Sequence, residues 1–124
     1  MARIEVADGE VRIHLSVVEE VLSLHGALHI PLRHIVGVSA DPVPKALWRG
    51  VRIGANIPGV LVAGTFLTGD GAIFYDIRQG DRCLTLELAD ETYKRVVVEV
   101  GPEQDPADLA RAITAAQAGQ AEHP

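Results

Sequence analysis

The sequence predicts a mainly β protein that ends in one α-helix. Apolar and polar residues alternate through most of the chain up to Val100, and this is the period of strands with one buried face. Short polar segments that contain glycine or proline separate the alternating stretches, as expected for turns. Residues 105–118 instead repeat their apolar positions at about 3.6 residues, which indicates a closing helix.

Composition is that of a single domain of ordinary hydrophobicity. The 124 residues are 48% hydrophobic, which is enough for one buried core. We predict one domain over residues 1–119 and a frayed tail at 120–124. The net charge of −6 argues against a nucleic-acid binder, because such proteins need a basic face to displace counterions from phosphates.

The single cysteine and the apolar runs bear on location. Cys83 has no second cysteine to pair with, so we expect a packing residue in a reducing compartment. The chain shows no signal-peptide core and no apolar run of about 20 residues that would span a membrane. We therefore expect a cytoplasmic protein.

The first elements are a hairpin and a short helix. Arg3–Ala7 and Glu10–Leu15 alternate on either side of Asp8-Gly9, a pair that suits the two positive φ angles of a type I′ turn. Ser16 then opens a capping box with Glu19. The apolar positions that follow predict a short helix near residues 17–24.

Two short strands, Ala27–Ile30 and Arg33–Ser39, are predicted next. Residues 41–58 lack a clear period and contain the only tryptophan, with several prolines and glycines. We interpret them as a long loop, in which Pro44–Arg49 forms one helical turn. A loop of this length inside a compact domain is often functional or locally structured.

Four strands are predicted between Val60 and Val100, following one another as a meander. Their bounds are Val60–Leu67, Ala72–Arg78, Cys83–Ala89 and Lys94–Val100. The alternation in the last strand predicts Val96 and Val98 facing inward, with Val97 and Glu99 facing outward.

The closing helix has clear start and stop signals. Asp105 is a suitable N-cap and Pro106 a suitable first residue. Leu109 and Ile113 belong to its predicted apolar face, while Gln117 is expected to point outward. Gly119 is predicted to end the helix.

The order of these elements resembles that of bacterial pleckstrin-homology-like (PH-like) domains of unknown function, particularly actinobacterial ones. The matching positions are structural turns and core residues: Leu28 to Leu32, Ile35, Val38, Ile57-Pro58-Gly59, Gly64-Thr65-Phe66, Leu84-Thr85-Leu86, Tyr93 to Val98 and Asp105 to Ala110. The resemblance implies a curled antiparallel sheet or barrel of about 7–8 strands, capped at one end by the helix. It implies no activity, cofactor or catalytic residue. The first hairpin loop is acidic, whereas a phosphoinositide site there would be basic.

No group of residues predicts catalysis or metal binding. His25, His29 and His34 lie close in sequence, but no cysteine or carboxylate completes a ligand spacing around them. The serines lack a nucleophile-elbow motif. We therefore expect a protein that is not an enzyme and that holds neither a metal nor a cofactor.

The candidate binding residues are Lys45, Trp48, Arg49 and Arg52. Three cations around a tryptophan stand out in an acidic chain, and tryptophan and arginine are favoured at interfaces. The same residues also fit a packing role, in which Trp48 covers a barrel end while the cations stay in solvent. We favour packing, because a long loop needs anchors of its own.

Three functions remain open from the sequence. The first is an interaction domain that binds a protein partner, or itself, through a sheet edge or the Trp48 loop. The alternative is binding to a membrane surface or an anionic ligand through Lys45, Arg49 and Arg52. A third is a small-molecule binder with an apolar pocket inside the barrel.

Overall fold

A computed structural model describes residues 2–16, 26–42, 51–57, 61–69, 71–78 and 80–122. Within these residues there are nine strands and one α-helix. The bounds are β1 Arg3–Ala7, β2 Glu10–His14, β3 Leu28–Pro31, β4 Ile35–Ser39, β5 Val51–Ile57, β6 Leu61–Thr68, β7 Gly71–Ile77, β8 Cys83–Leu88, β9 Tyr93–Glu99 and α1 Pro106–Glu122. The prediction of a mainly β fold with a C-terminal helix is confirmed. The predicted helix at 17–24 and the helical turn at Pro44–Arg49 lie outside the described residues.

The strands form two sheets that are not closed into a barrel. The smaller sheet has the order β1-β2-β3, and the larger has the order β4-β8-β9-β7-β6-β5. A parallel bridge between Ala2 and Val100 links the two. The predicted closure is wrong for the described strands, because β4 and β5 remain at opposite edges of the larger sheet. Packing the smaller sheet and α1 against the larger sheet buries the apolar side chains without closure.

The predicted meander is also wrong, because β9 lies between β8 and β7. It pairs antiparallel with β8 and parallel with β7, with Val97 opposite Tyr75. A central strand needs apolar side chains on both faces. Val96, Val97 and Val98 are accordingly all buried. The expected outward positions of Val97 and Glu99 are therefore corrected, since both are only 2% exposed.

A strand was missed in the predicted loop at 41–58. β5 pairs with β6 over its whole length, from Val51 opposite Leu67 to Ile57 opposite Leu61. Its sequence does alternate, with Val51 and Ile53 separated by Arg52. The prolines and glycines around it obscured that period. A smaller correction concerns β4, which begins at Ile35 because Leu32–His34 form a 3-10 turn after Pro31.

The first hairpin forms as predicted. Asp8 and Gly9 have φ angles of 55° and 77°, and the pairing of Ala7 with Glu10 leaves these two residues as the turn. The right-handed twist of the strands favours this type I′ geometry.

Two apolar clusters lie on opposite faces of the larger sheet. The first lies between that sheet, the smaller sheet and α1, and its largest fully buried members are Phe74, Ile13, Leu84, Leu86 and Ile113. The second contains Phe66, Ile73, Tyr75, Ile77, Cys83 and Val97. Cys83 is fully buried, in agreement with its predicted packing role.

Helix α1 begins at the predicted cap but continues past its predicted end. The backbone N–H of Ala107 donates to Asp105 Oδ1 at 3.2 Å. Gly119 lies inside the helix, which extends to Glu122, so the predicted end of the helix at Gly119 is wrong. The frayed tail expected at 120–124 stays a prediction. A glycine inside a helix costs only about 1 kcal/mol relative to alanine. Within the described residues no helix is long and apolar enough to cross a membrane.

Gln117 faces inward, contrary to prediction. Its Nε2 donates to the carbonyl oxygens of Leu32 and Ile35 at 3.2 and 2.8 Å. These two carbonyls belong to the 3-10 turn and the start of β4. Gln117 therefore fixes α1 against the connection between the two sheets.

Candidate functional site

The predicted binding residues are mostly outside the described part of the chain. Lys45, Trp48 and Arg49 fall in the undescribed range 43–50. Arg52 lies on β5, in register with Phe66 of β6. A role for this group in binding a partner, a membrane or an anion therefore stays a prediction.

The described residues instead present a cleft beside β3. Its volume is about 250 Å³. One wall consists of residues 27–30, and the other consists of Leu88, Glu91, Thr92, Tyr93 and Val96. Successive side chains of a strand point to opposite faces. A cleft touched by four consecutive residues must therefore run along the edge of β3, and we call it the β3 cleft.

Register shows which backbone groups of β3 face this cleft. Val11 pairs with Ile30, and Ile13 pairs with Leu28. The N–H of Leu32 donates to the carbonyl of Gly9 at 3.0 Å. Because hydrogen-bonded pairs alternate along an antiparallel ladder, Leu28 and Ile30 bond to β2. The N–H and C=O of His29 then point away from β2, toward the cleft.

At the opposite edge of the smaller sheet, a side chain already occupies the outward-facing backbone groups of Ile4 on β1. On β1, the N–H of Ile4 donates to Gln104 Oε1, and Gln104 Nε2 donates to the carbonyl of Ile4, both at 2.8 Å. In the larger sheet, edge strand β4 carries a bulge between Ile35 and Gly37, and bulges discourage edge pairing. Among the described strands, β3 pairs with β2 alone. Of the two edges of the smaller sheet, β3 is therefore the one that could receive another strand.

The floor of the β3 cleft is apolar. Leu28, Leu88 and Val96 are buried members of the first cluster. Tyr93 stands beside them, with its ring at 61° to that of Phe74 and a centroid distance of 5.6 Å. The Tyr93 hydroxyl lies 2.9 Å from Thr65 Oγ1. This hydrogen bond fixes the tyrosine side chain and leaves its ring to form part of the wall.

Two histidine–carboxylate pairs border the cleft. His29 Nδ1 lies 3.2 Å from Glu10 Oε1 on the β3 side. His34 Nδ1 lies 3.4 Å from Glu91 Oε1 on the opposite side. The described lining includes Glu91 and His29 but no lysine or arginine. The rim therefore favours a positive group.

On the exposed face of the smaller sheet, several carboxylates surround one arginine, Arg12. Arg12 Nε lies 2.6 Å from Glu10 Oε1, and Arg12 Nη2 lies 2.9 Å from Asp8 Oδ2. These hydrogen bonds raise the pKa of Arg12 above its usual value. The bond from Arg12, followed by that from His29, lowers the pKa of Glu10. A hydrogen bond from His14 is the largest cause that lowers the pKa of Glu5.

The side chains around the β3 cleft limit the chemistry that it can perform. Within the described ranges, no cluster of three or more histidine, cysteine or acidic side chains could hold a metal ion. His29 and His34 contact different carboxylates, and His25 lies outside these ranges. The cleft is smaller than the roughly 300–1,000 Å³ of typical small-molecule sites. Its size suits one or two side chains of a larger partner.

Comparisons with protein-family models, with curated proteins and with solved structures find no match.

The sequence held one signal for the β3 edge. Pro31 ends a short apolar strand, and proline within a sheet is largely confined to edge strands. Nothing in the sequence showed that Glu91 lies across from that edge, because the turn that carries it follows β8, far along the chain.

Proposed function

We propose that this protein is a non-enzymatic PH-like interaction domain of the cytoplasm, and that it binds an extended segment of a partner protein in the β3 cleft. The observation that carries the proposal is the edge of β3, which pairs with β2 alone among the described strands and directs the N–H and C=O of His29 toward the β3 cleft. Adding a strand to such an edge gives affinity through backbone hydrogen bonds and specificity through side-chain pockets.

The short length of the edge supports a peptide segment as the occupant. Pro31 lacks an N–H, so it cannot donate a hydrogen bond at the next outward-facing position of β3. A long intermolecular sheet would lose that bond, whereas a short segment centred on His29 would not need it. The floor formed by Leu28, Leu88 and Val96 then receives the side chains of the segment.

Selection from a random peptide library displayed on phage, with the full-length protein as bait, tests this proposal. Selected peptides are then synthesised, and their affinities are measured by fluorescence anisotropy. We expect the variant His29→Pro to weaken binding about tenfold, since it removes the donor on the open edge. It leaves the ladder to β2 intact. The control His29→Ala removes the same imidazole but retains the N–H, and should bind more tightly than His29→Pro.

A second measurement does not depend on the folding of a variant. In the wild-type protein, hydrogen exchange of the His29 amide should slow when a selected peptide is added. The proposal fails if no peptide is enriched, or if bound peptides leave this amide unprotected. It also fails if light scattering shows a dimer that the peptides dissociate, because the occupant would then be a second copy of the chain.

A further inference from the structure

The geometry of the β3 cleft points to the chemistry of its partner, and this step rests on the proposed function. We infer that the segment bound there carries a lysine or arginine flanked by aliphatic residues, with the basic residue opposite His29. The inference follows from the alternation of the sheet and from the charges on the two walls.

Alternation fixes which partner side chains enter the cleft. In an antiparallel pair, one residue exchanges both backbone hydrogen bonds with the residue opposite it. The partner residue opposite His29 would therefore share the exposed face of His29. Its two neighbours would point to the other face, where Leu28 and Ile30 are buried.

The neighbours therefore meet an apolar surface. Leu28 and Ile30 belong to the same buried cluster as Leu88 and Val96. These residues are at most 9% exposed, so the gain comes mainly from the area of the entering aliphatic side chain itself, at roughly 25 cal/mol per Å² removed from water. The volume of about 250 Å³ admits side chains of this size.

The central residue meets negative charge. Glu10 Oε1 is 3.2 Å from His29 Nδ1, and Glu91 stands on the opposite wall. Arg12 pairs with His29 across the two strands, but Glu10, Asp8 and Glu5 surround it at 2.6, 2.9 and 3.7 Å. The acidic groups therefore outnumber this cation. The chain as a whole carries a net charge of −6. A lysine or arginine opposite His29 would therefore be favoured, and an acidic residue there would be repelled.

The test uses three peptides that are identical except at one position, which has an aliphatic residue on each side. That position is lysine in the first peptide, glutamine in the second and glutamate in the third. Affinity is measured by anisotropy at low and high salt. We expect the lysine peptide to bind about fivefold more tightly than the glutamine peptide, and the glutamate peptide to bind most weakly. Added salt should reduce these differences.

Substitutions in the protein test which acidic residues cause the preference for the lysine peptide. Glu91→Gln and Glu10→Gln should each reduce the lysine-over-glutamine ratio. The control Glu103→Gln removes the same charge from an exposed residue outside the cleft lining and should leave the ratio unchanged. Equal affinities for the three peptides, or a ratio that both variants leave intact, would overturn the inference.

The outcomes separate this inference from the proposed function. If the three peptides bind equally and His29→Pro still weakens them, the inference fails while the proposed function stands. If none of them binds and the random library enriches nothing, the proposed function fails and the inference fails with it.

Discussion

The side-chain amide of Gln104 pairs with both backbone groups of Ile4, at 2.8 Å for each hydrogen bond. Ile4 lies at a position of β1 whose N–H and C=O point away from β2. The amide thus takes the place of a neighbouring strand and closes this edge of the smaller sheet. The opposite edge, at β3, has no comparable closure among the described residues, and this difference is why we place the binding site there.

Replacing Gln104 with alanine should destabilise the protein. The change removes two hydrogen bonds, each contributing about 0.5–1.5 kcal/mol, so we expect a loss of roughly 1–3 kcal/mol in the free energy of unfolding. Urea denaturation measures this quantity. Glu103→Ala, at the exposed neighbouring position, should change it by less than about 0.5 kcal/mol. Equal effects of the two substitutions would show that the amide pairing contributes nothing.

Replacing Glu99 should loosen the turn between β7 and β8. Its Oε1 accepts the backbone N–H groups of Arg78 and Gly80 at 2.7 and 3.1 Å, and the residue is buried. Glu99→Ala leaves these donors without this acceptor, so we expect a loss of about 2–3 kcal/mol. Glu99→Gln keeps an oxygen there and should cost less.

The ion pair between Arg95 and Glu87, on the surface of the same sheet, serves as a comparison for the buried Glu99. Arg95 Nε donates to Glu87 Oε1 at 2.7 Å, but both side chains are more than a third exposed. Glu87→Ala should therefore cost less than about 1 kcal/mol in the same urea experiment. A loss as large as that of Glu99→Ala would contradict the role assigned to burial.

Acid should weaken the smaller sheet through Glu5 and Glu10. The folded state lowers the pKa of both carboxyls below 4.5, so the unfolded state binds more protons as the pH falls. Their stabilisation is present above about pH 4.5 and is lost as the pH drops through the lowered values. Added salt should reduce this contribution, because both groups are exposed.

The variant Arg12→Gln tests the origin of that pH dependence. It removes the strongest hydrogen bond to Glu10, so unfolding measured by urea at several acidic pH values should depend less on pH. Arg111→Gln removes an arginine that pairs with Asp108 on α1. This control should leave the pH dependence of the free energy of unfolding unchanged. If Arg12→Gln and Arg111→Gln changed the pH dependence of the free energy of unfolding equally, the Arg12 network would not be its cause.

The phenol of Tyr75 should lose its proton at a higher pH than an ordinary tyrosine. Burial raises the pKa of its phenol above 10.0, with a smaller opposing effect from Arg95. In the variant Tyr93→Phe, Tyr75 is the only remaining tyrosine, and its ultraviolet absorbance can be titrated alone. The midpoint should lie above 10.0 in the folded protein and return to about 10 in urea. Because the folded state favours the neutral phenol, stability should fall as the pH rises through this range.

The sequence by itself determined the local elements. Asp8-Gly9 set a type I′ turn through its two positive φ angles, and Asp105 capped α1 through its own side chain. The alternation of Leu84, Leu86 and Leu88 marked one face of β8 as buried. Each of these features depends on residues only a few positions apart, and for that reason the pattern alone was enough.

Only the tertiary structure decided which strands are neighbours and where the candidate site lies. A period of two marks the apolar face of a strand but does not name its partner, so the parallel pairing of β7 with β9 was not predicted. The hydrogen bonds of Gln104 and Gln117 were not predicted, because their partners lie 100 and more than 80 positions away along the chain. Likewise, Pro31 suggested an edge, but only long-range packing places Glu91 and Leu88 across from β3 and makes that edge a cleft.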